Sequence, residues 1–445
     1  NLDVVDIDGA VDMASTLTVA GVLTGTSLDI SGDIDVDGTS NLDIVDIDVS
    51  LDVNGTIKLD GNYPTGTSNV ALGNTALDSV EAGGVDNTAI GNNAGTAITT
   101  GDANTAVGSC ALDSNTTASF NTAIGGLSMI TNTTGCENTA VGHNSLLLNE
   151  TGDNNVAIGR RSLQSNTTAD NNTAVGFCSL KANTTGTNGV AVGCGALKTN
   201  TTGGCNVAVG RISLQDNTTG ANNVAIGASA SQSNTTGGEN TALGKSTLTS
   251  NTTGCKNVAI GSGALLSNST ANDNIAIGFQ SLEQNTTGTS NVAVGCGALE
   301  SNTTASDNVA MGKRALGGTT TGCRNTAVGR TAMNSNSTGD TNTAIGYSAL
   351  YANTTADNNT AVGSQALEAN TTGSQNTAIG KNALIANTTA GSNTAIGHDA
   401  LKATTTGGQN NAFGDGAMNT NTTGCRNVAM GNGVMFKNTE GECNT

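Results

Sequence analysis

A 17-residue pattern of apolar and polar positions repeats from Asn87 to the end of this chain. Twenty-one units follow the pattern N-[TV]-A-[IV]-G-x-x-[AS]-L-x-x-N-T-T-[GA]-x-x, and an irregular forerunner starts at Asn69. We number the positions of this unit 1 to 17 from its first Asn. Repetition at a fixed short period is typical of solenoids, in which each unit packs mainly on its two neighbours.

The composition of the unit predicts β structure. Positions 1 to 5 alternate as a strand does, and a 17-residue unit rich in Asn, Thr and Gly is too short and too helix-averse for paired helices. Gly at position 5 and N-T-T-G at positions 12 to 15 predict turns, and the [AS]-L pair predicts a second short strand. We therefore predict an all-β, parallel β-solenoid with two strands per coil. Side chains at position 4, such as Ile260, are expected to face the core.

The same unit predicts oligomerisation. The few apolar side chains in each coil cannot offset the conformational entropy lost when the whole unit becomes ordered. Ala at position 3 and Gly at position 5 make the wall of the coil thin, so another chain can approach it closely. We expect further subunits to supply the missing burial.

A different region precedes the solenoid. Residues 1–60 hold thirteen Asp, mostly alternating with Ile, Leu and Val, and the first twelve residues recur with eight identities at 41–52. We divide the chain into an Asp-rich β stalk (1–60), a transition or cap (61–86) and the solenoid (87–445). Because Asn444 and Thr445 begin another coil, and the first residue is Asn, we expect a longer natural chain.

The stalk contains a partial calcium-loop motif. Asp33, Asp35 and Asp37 match the first half of D-x-D-x-D-G, but Ile44 stands where a calcium loop needs its bidentate Glu. Solvent-facing Asp on a strand is the favoured interpretation, and a cation held between chains is the alternative.

Composition excludes several partners. The net charge is −19, aromatic residues make up 2 % and Trp is absent, which disfavours binding to nucleic acid or anionic lipid. No apolar run is long enough to span a membrane, so we expect no membrane insertion.

Candidate chemistry is sparse. His143 and His398 lie fifteen coils apart, and no paired carboxylates recur, so we expect no catalytic site and no cofactor. The ten cysteines all fall in turns. Free thiols are the favoured interpretation and inter-subunit bonds the alternative. Cys178 and Cys194 form the one candidate intrachain disulfide, because they lie in adjacent coils on one edge.

The N-T-T triplets have three interpretations. Side-chain ladders between stacked coils are favoured, since each amide can bond its copy one coil away. N-glycosylation is the second interpretation, and an ice-binding face of regularly spaced Thr is the third.

The repeat core N-[TV]-A-[IV]-G-x-x-[AS] resembles the head repeat of YadA-like trimeric autotransporter adhesins. That resemblance covers residues 69–445, although the unit here is longer, with A-L-x-x-N-T-T-G in place of the shorter A-x-A-x-G of the family. It implies a left-handed parallel β-roll, three chains packed side by side and an adhesive role.

The Asp-rich segment followed by N-T-A-I-G units resembles tail fibres of marine bacteriophages. This resemblance implies a virion fibre shaft whose partners are its own copies and a host receptor or glycan. A bacterial surface adhesin and an extracellular filament subunit remain alternatives.

Overall fold

The computed structural model describes residues 67–81 and 83–445. The stalk, with Asp33, Asp35 and Asp37, and the first part of the transition lie outside these residues. The described chain contains 22 three-residue strands, one in each coil. They are β1 Val70–Leu72, β2 Thr88–Ile90, β3 Thr105–Val107, β4 Thr122–Ile124, β5 Thr139–Val141, β6 Val156–Ile158, β7 Thr173–Val175, β8 Val190–Val192, β9 Val207–Val209, β10 Val224–Ile226, β11 Thr241–Leu243, β12 Val258–Ile260, β13 Ile275–Ile277, β14 Val292–Val294, β15 Val309–Met311, β16 Thr326–Val328, β17 Thr343–Ile345, β18 Thr360–Val362, β19 Thr377–Ile379, β20 Thr394–Ile396, β21 Asn411–Phe413 and β22 Val428–Met430.

The strands form one parallel sheet in which each strand pairs with the next along the chain. Register is kept residue for residue: Thr88, Ala89 and Ile90 lie opposite Thr105, Ala106 and Val107. The solenoid and its 17-residue coil are therefore confirmed, and the forerunner at Asn69 is a coil of the same sheet. At the spacing of parallel strands, the solenoid is about 100 Å long.

The inside of the coil is narrow and is built from small residues. From β2 to β22 the central Ala of each strand is buried, whereas the residues at positions 2 and 4 on either side of it are not. In most coils Leu or Met at position 9 fills most of the remaining interior, as Leu112 and Met129 do. The expectation that Ile260 faces the core is wrong: Ala259 is buried and Ile260 points outward.

The second predicted strand does not form. The backbone is left-handed at positions 7 and 9, as at Cys110 (φ 54°) and Leu112 (φ 52°), and again at position 17. Left-handed residues on both sides of position 8 turn the chain instead of extending it. Complete burial of Leu112 offsets the conformational cost of this unusual φ for a leucine.

Gly at position 5 is required by the close approach of successive coils. Gly108 has φ +133°, and a Cβ added to it would lie 2.6 Å from the carbonyl carbon of Gly125. Any side chain at this position would force the coils apart, which accounts for Gly in every copy.

Two ladders of buried Asn close most of the coils. In the coil that starts at Asn104, the Nδ2 atoms of Asn104 (position 1) and Asn115 (position 12) both donate to the carbonyl of Ala118, at 2.9 and 3.0 Å. Asn104 Oδ1 accepts from the backbone N–H of Asn121 at 3.0 Å, and Asn132 Nδ2 donates to Asn115 Oδ1 at 2.8 Å. The predicted Asn ladder is confirmed.

Thr behaves differently from Asn in the N-T-T triplet. The hydroxyl at position 13 donates to the backbone carbonyl of position 13 in the next coil, as Thr184 does to Thr201 at 3.0 Å. The position-12 Asn side chains, which carry the N-x-T sequence, are fully buried in their ladder. N-glycosylation of a folded coil would therefore have to remove such an Asn from the interior.

Candidate functional site

The outer face of the sheet carries a continuous row of apolar side chains at coil position 4. Each lies on a three-residue strand whose buried central Ala fixes its outward direction. Ile124, Ile226 and Met311 are 40 %, 39 % and 44 % exposed. Thr or Val at position 2 forms a second, parallel row beside it. We call the position-4 side chains the outer row.

One edge of the coil carries chemically varied side chains; we call it the variable edge and define it as positions 6, 7 and 10. These positions follow the Gly turn, and their side chains differ from coil to coil. His, Arg, Lys, Phe, Tyr, Cys, Asp and Glu all occur there. Stacking places the same position of neighbouring coils about 4.8 Å apart. Functional groups that are one period apart in sequence thus become neighbours.

An ionic cluster forms on this edge around Asp399. Its carboxylate accepts from Asn382 Nδ2 at 2.9 Å and pairs with Lys402 Nζ at 3.0 Å. His398 Nδ1 lies 2.9 Å from Asp415 Oδ1, and His398 Nε2 lies 3.6 Å from Asp399 Oδ1. The cluster bridges three successive coils.

Opposing effects act on the pKa of Asp399. Burial raises it, but the hydrogen bond from Asn382 and the hydrogen bond and charge of Lys402 lower it more, and the charge of His398 adds to the lowering. The net result is a pKa below the ordinary 3.8, so the carboxylate is ionised at neutral pH.

The candidate cysteine pair lies on the same edge. Cys178 is buried and Cys194 is exposed, and both line a shallow cavity of about 120 Å³. The backbone N–H of Gly195 donates to the carbonyl of Phe177 at 3.0 Å, which holds the two segments side by side. All ten cysteines carry free thiols in the structure, and the disulfide between Cys178 and Cys194 stays a prediction.

Metal-ligating side chains do not cluster in the part of the chain that the structure describes: no three His, Cys, Asp or Glu residues there could hold one ion. The candidate calcium residues Asp33, Asp35 and Asp37 lie outside it. Residues 67–81 and 83–445 also contain no helix long and apolar enough to cross a membrane.

His143 and His398 lie in separate coils, as predicted, but the partners of His398 were not predicted. The 17-residue period contained the information needed to predict these partners. Asp415 comes one period after His398 and therefore occupies the same position in the next coil, while Asp399 and Lys402 fill positions 7 and 10. Aligning the variable edge coil by coil would have predicted this cluster.

No protein-family model matches the chain, and no curated protein sequence matches it.

Proposed function

We propose that this chain is the shaft of a homotrimeric extracellular fibre, a bacteriophage tail fibre that projects a host-attachment region. The outer row is the observation that carries the proposal. A flat strand face with apolar side chains at every coil is a surface built for burial, since water-exposed apolar stripes of this length are costly in a lone chain.

The periodicity of the row favours copies of this chain as its partners. A partner must match one apolar side chain per coil over about 100 Å, and another copy does so because it has the same coil height. Three copies around a common axis would bury each row against the other two. The narrow coil, with Ala at its strand centre, allows the three axes to lie close together.

The interior suits a mechanical shaft. Every coil is bonded to the next by strand pairing and turn hydrogen bonds, and most coils are also joined by the Asn ladders. These bonds join identical layers, so length can grow without a larger core. No catalytic centre is needed for this role. The assignment to a virion draws on the Asp-rich segment before the coils, and a cell-surface adhesin or filament would use the same shaft.

Light scattering on the purified chain tests the trimer, with an expected mass of about three times 43.7 kDa. The decisive variant replaces four members of the outer row with Lys: Ile124, Ile158, Ile226 and Ile379. The matched control places four Lys at exposed position 14 of the same coils: Thr134, Thr168, Thr236 and Thr389. Both variants add the same charge to the same coils.

We expect the outer-row variant to lose the trimer and the control to keep it. A wild-type monomer, or an outer-row variant that remains trimeric, would contradict the proposal. A wild-type monomer that also produced thermal hysteresis on freezing would support an ice-binding solenoid in its place.

A further inference from the structure

Two of the chain's three tyrosines converge on one cavity of the variable edge. Tyr347 and Tyr351 occupy positions 6 and 10 of a single coil and are 51 % and 38 % exposed. They line a cavity of about 280 Å³ with Arg330 from the coil before and Glu368 from the coil after. Such a concentration stands out in a chain with 2 % aromatic residues.

The polar groups of this cavity are held in place. The guanidinium carbon of Arg330 lies 6.0 Å from the centre of the Tyr347 ring, a cation–π contact that orients both groups. Gln365 Nε2 donates to Glu368 Oε2 at 2.9 Å. The hydroxyls of Thr331 and Ser348 are 3.1 Å apart on the cavity wall.

We propose that this cavity binds a pyranose segment of a neutral glycan. A sugar ring has apolar C–H faces, which the exposed Tyr rings can cover, and an edge of hydroxyls. Those hydroxyls can donate to Glu368 and accept from Arg330. One positive and one negative group leave no net charge in the pocket, which favours a hydroxyl-rich ligand over a strongly charged one.

A neighbouring cavity extends the same edge. It measures about 270 Å³ and opens where positions 10 and 11 are Gly317 and Gly318, the one described coil with Gly at both. Glu300, Arg314 and Asn334 supply polar groups to its lining. The two cavities together follow five successive coils, about 20 Å at the spacing of parallel strands, which suits an extended oligosaccharide.

The chain contains its own control for this site. Ten coils earlier, the guanidinium carbon of Arg160 lies 5.9 Å from the ring centre of Phe177, close to the 6.0 Å between Arg330 and Tyr347. The cavity beside Phe177 is smaller and mostly apolar, and it is lined by neither a second aromatic ring nor a carboxylate. Comparing glycan binding after mutation of the two sites therefore distinguishes a cation–π pair that serves only packing from one that belongs to the proposed glycan site.

Tyrosine fluorescence reports on the site directly, because the chain has no Trp and Tyr63 is the only other Tyr. In a Tyr63→Phe background, the probes are cellohexaose, maltohexaose, laminarihexaose and mannohexaose, with a heparin hexasaccharide and an acidic peptide as charged probes. We expect a saturable change with at least one neutral probe, at a Kd of about 0.1–1 mM. The sugar should be recovered intact.

Calorimetry measures binding to the variants independently of the tyrosine signal, which Tyr351→Ala alters. We expect Tyr351→Ala and Arg330→Ala to bind the sugar roughly tenfold more weakly and Phe177→Ala to bind it as the wild type does. Equal loss in all three, no response to any neutral probe, or binding of the charged probes alone would overturn the proposal.

The inference deepens the proposed host-attachment role and rests on it. Light scattering on the same sample separates the two failures. A trimer that binds no neutral probe overturns the glycan site alone, and a monomer that binds one overturns the trimeric shaft alone.

Discussion

The interior wall of the coil and its variable edge differ in how strongly the residue type is constrained, although both belong to the same 17-residue unit. Positions 1, 3, 5, 9 and 12 contact their own copies one coil away, so a change there alters two interfaces at once. Positions 6, 7 and 10 meet solvent in most coils and carry Arg, Tyr, Cys or Gly. The contrast shows that the stability of the fold depends on positions that repeat in every coil. Specific binding chemistry requires positions whose residues differ from coil to coil.

Deletions within one coil should expose this contrast most strongly. Removing Asn240–Lys256 deletes one 17-residue layer, and the coil starting at Asn223 then stacks on the coil starting at Asn257 with both ladders in register. Removing only Asn240–Leu248 sets turn residues against strand residues and leaves backbone groups unpaired. We expect the first variant to unfold like the wild type. The second should lose more than about 4 kcal/mol of unfolding free energy.

Thermal and denaturant unfolding measure the difference between the two deletions, and electron microscopy should show the first rod shortened by about 4.8 Å. Equal tolerance of both deletions would mean that the 17-residue unit is not a structural layer.

Replacing an Asn in the ladder should lower the free energy of unfolding far more than replacing an Asn on the variable edge. Asn149 Nδ2 donates to Asn132 Oδ1 at 2.7 Å and to the Gly152 carbonyl at 2.9 Å, and its Oδ1 accepts from Asn166 at 2.8 Å. Asn149→Ala removes all three bonds inside the wall, and we expect a loss of about 1–3 kcal/mol by denaturant unfolding. Asn92→Ala, at exposed position 6, is the control and should change little. Similar losses would argue against the ladder as a source of stability.

A natural break in the ladder predicts a stabilising substitution. Thr319 replaces Asn at position 12, and the buried Oδ1 of Asn302 in the coil before it has no partner. Thr319→Asn would supply a donor, and we expect a gain of about 1 kcal/mol in unfolding free energy. Thr321→Asn, two residues later at exposed position 14, should give no gain. A gain in both variants would point to a cause other than ladder repair.

The smallest expected effect concerns pH on the variable edge. Because the pKa of Asp399 is lowered in the folded state, its ionised form stabilises the fold above the unfolded pKa, and that contribution disappears as pH falls through the folded pKa. Asp399→Asn should cost at most about 1 kcal/mol at neutral pH, because the Lys402 partner is exposed and solvent screens the pair. The cost should vanish below the folded pKa. A melting-temperature difference that is the same at pH 7 and in strong acid would contradict this role.

Much of the fold was predictable because its information is local and repeated. The N-T-A-I-G core indicates a strand, the constant spacing places every residue opposite its copy, and an Asn at a fixed position has its own copy as its nearest partner. The parallel solenoid and the Asn ladder follow from these facts. The cluster around His398 was equally accessible, since it requires only aligning position 6 of adjacent coils.

The sequence by itself determined the period, the parallel stacking and the positions that repeat. Only the tertiary structure decided which side of the strand faces inward, because an alternating pattern defines two faces without showing which of them is buried. The inside of a 17-residue coil has room for Ala259 but not for Ile260, since Leu265 at position 9 and two Asn side chains already fill it. That limit on volume turns the outer row outward. The tertiary structure also decided the turn around the left-handed residues Ser348 and Leu350, which places Tyr347 and Tyr351 at one exposed cavity.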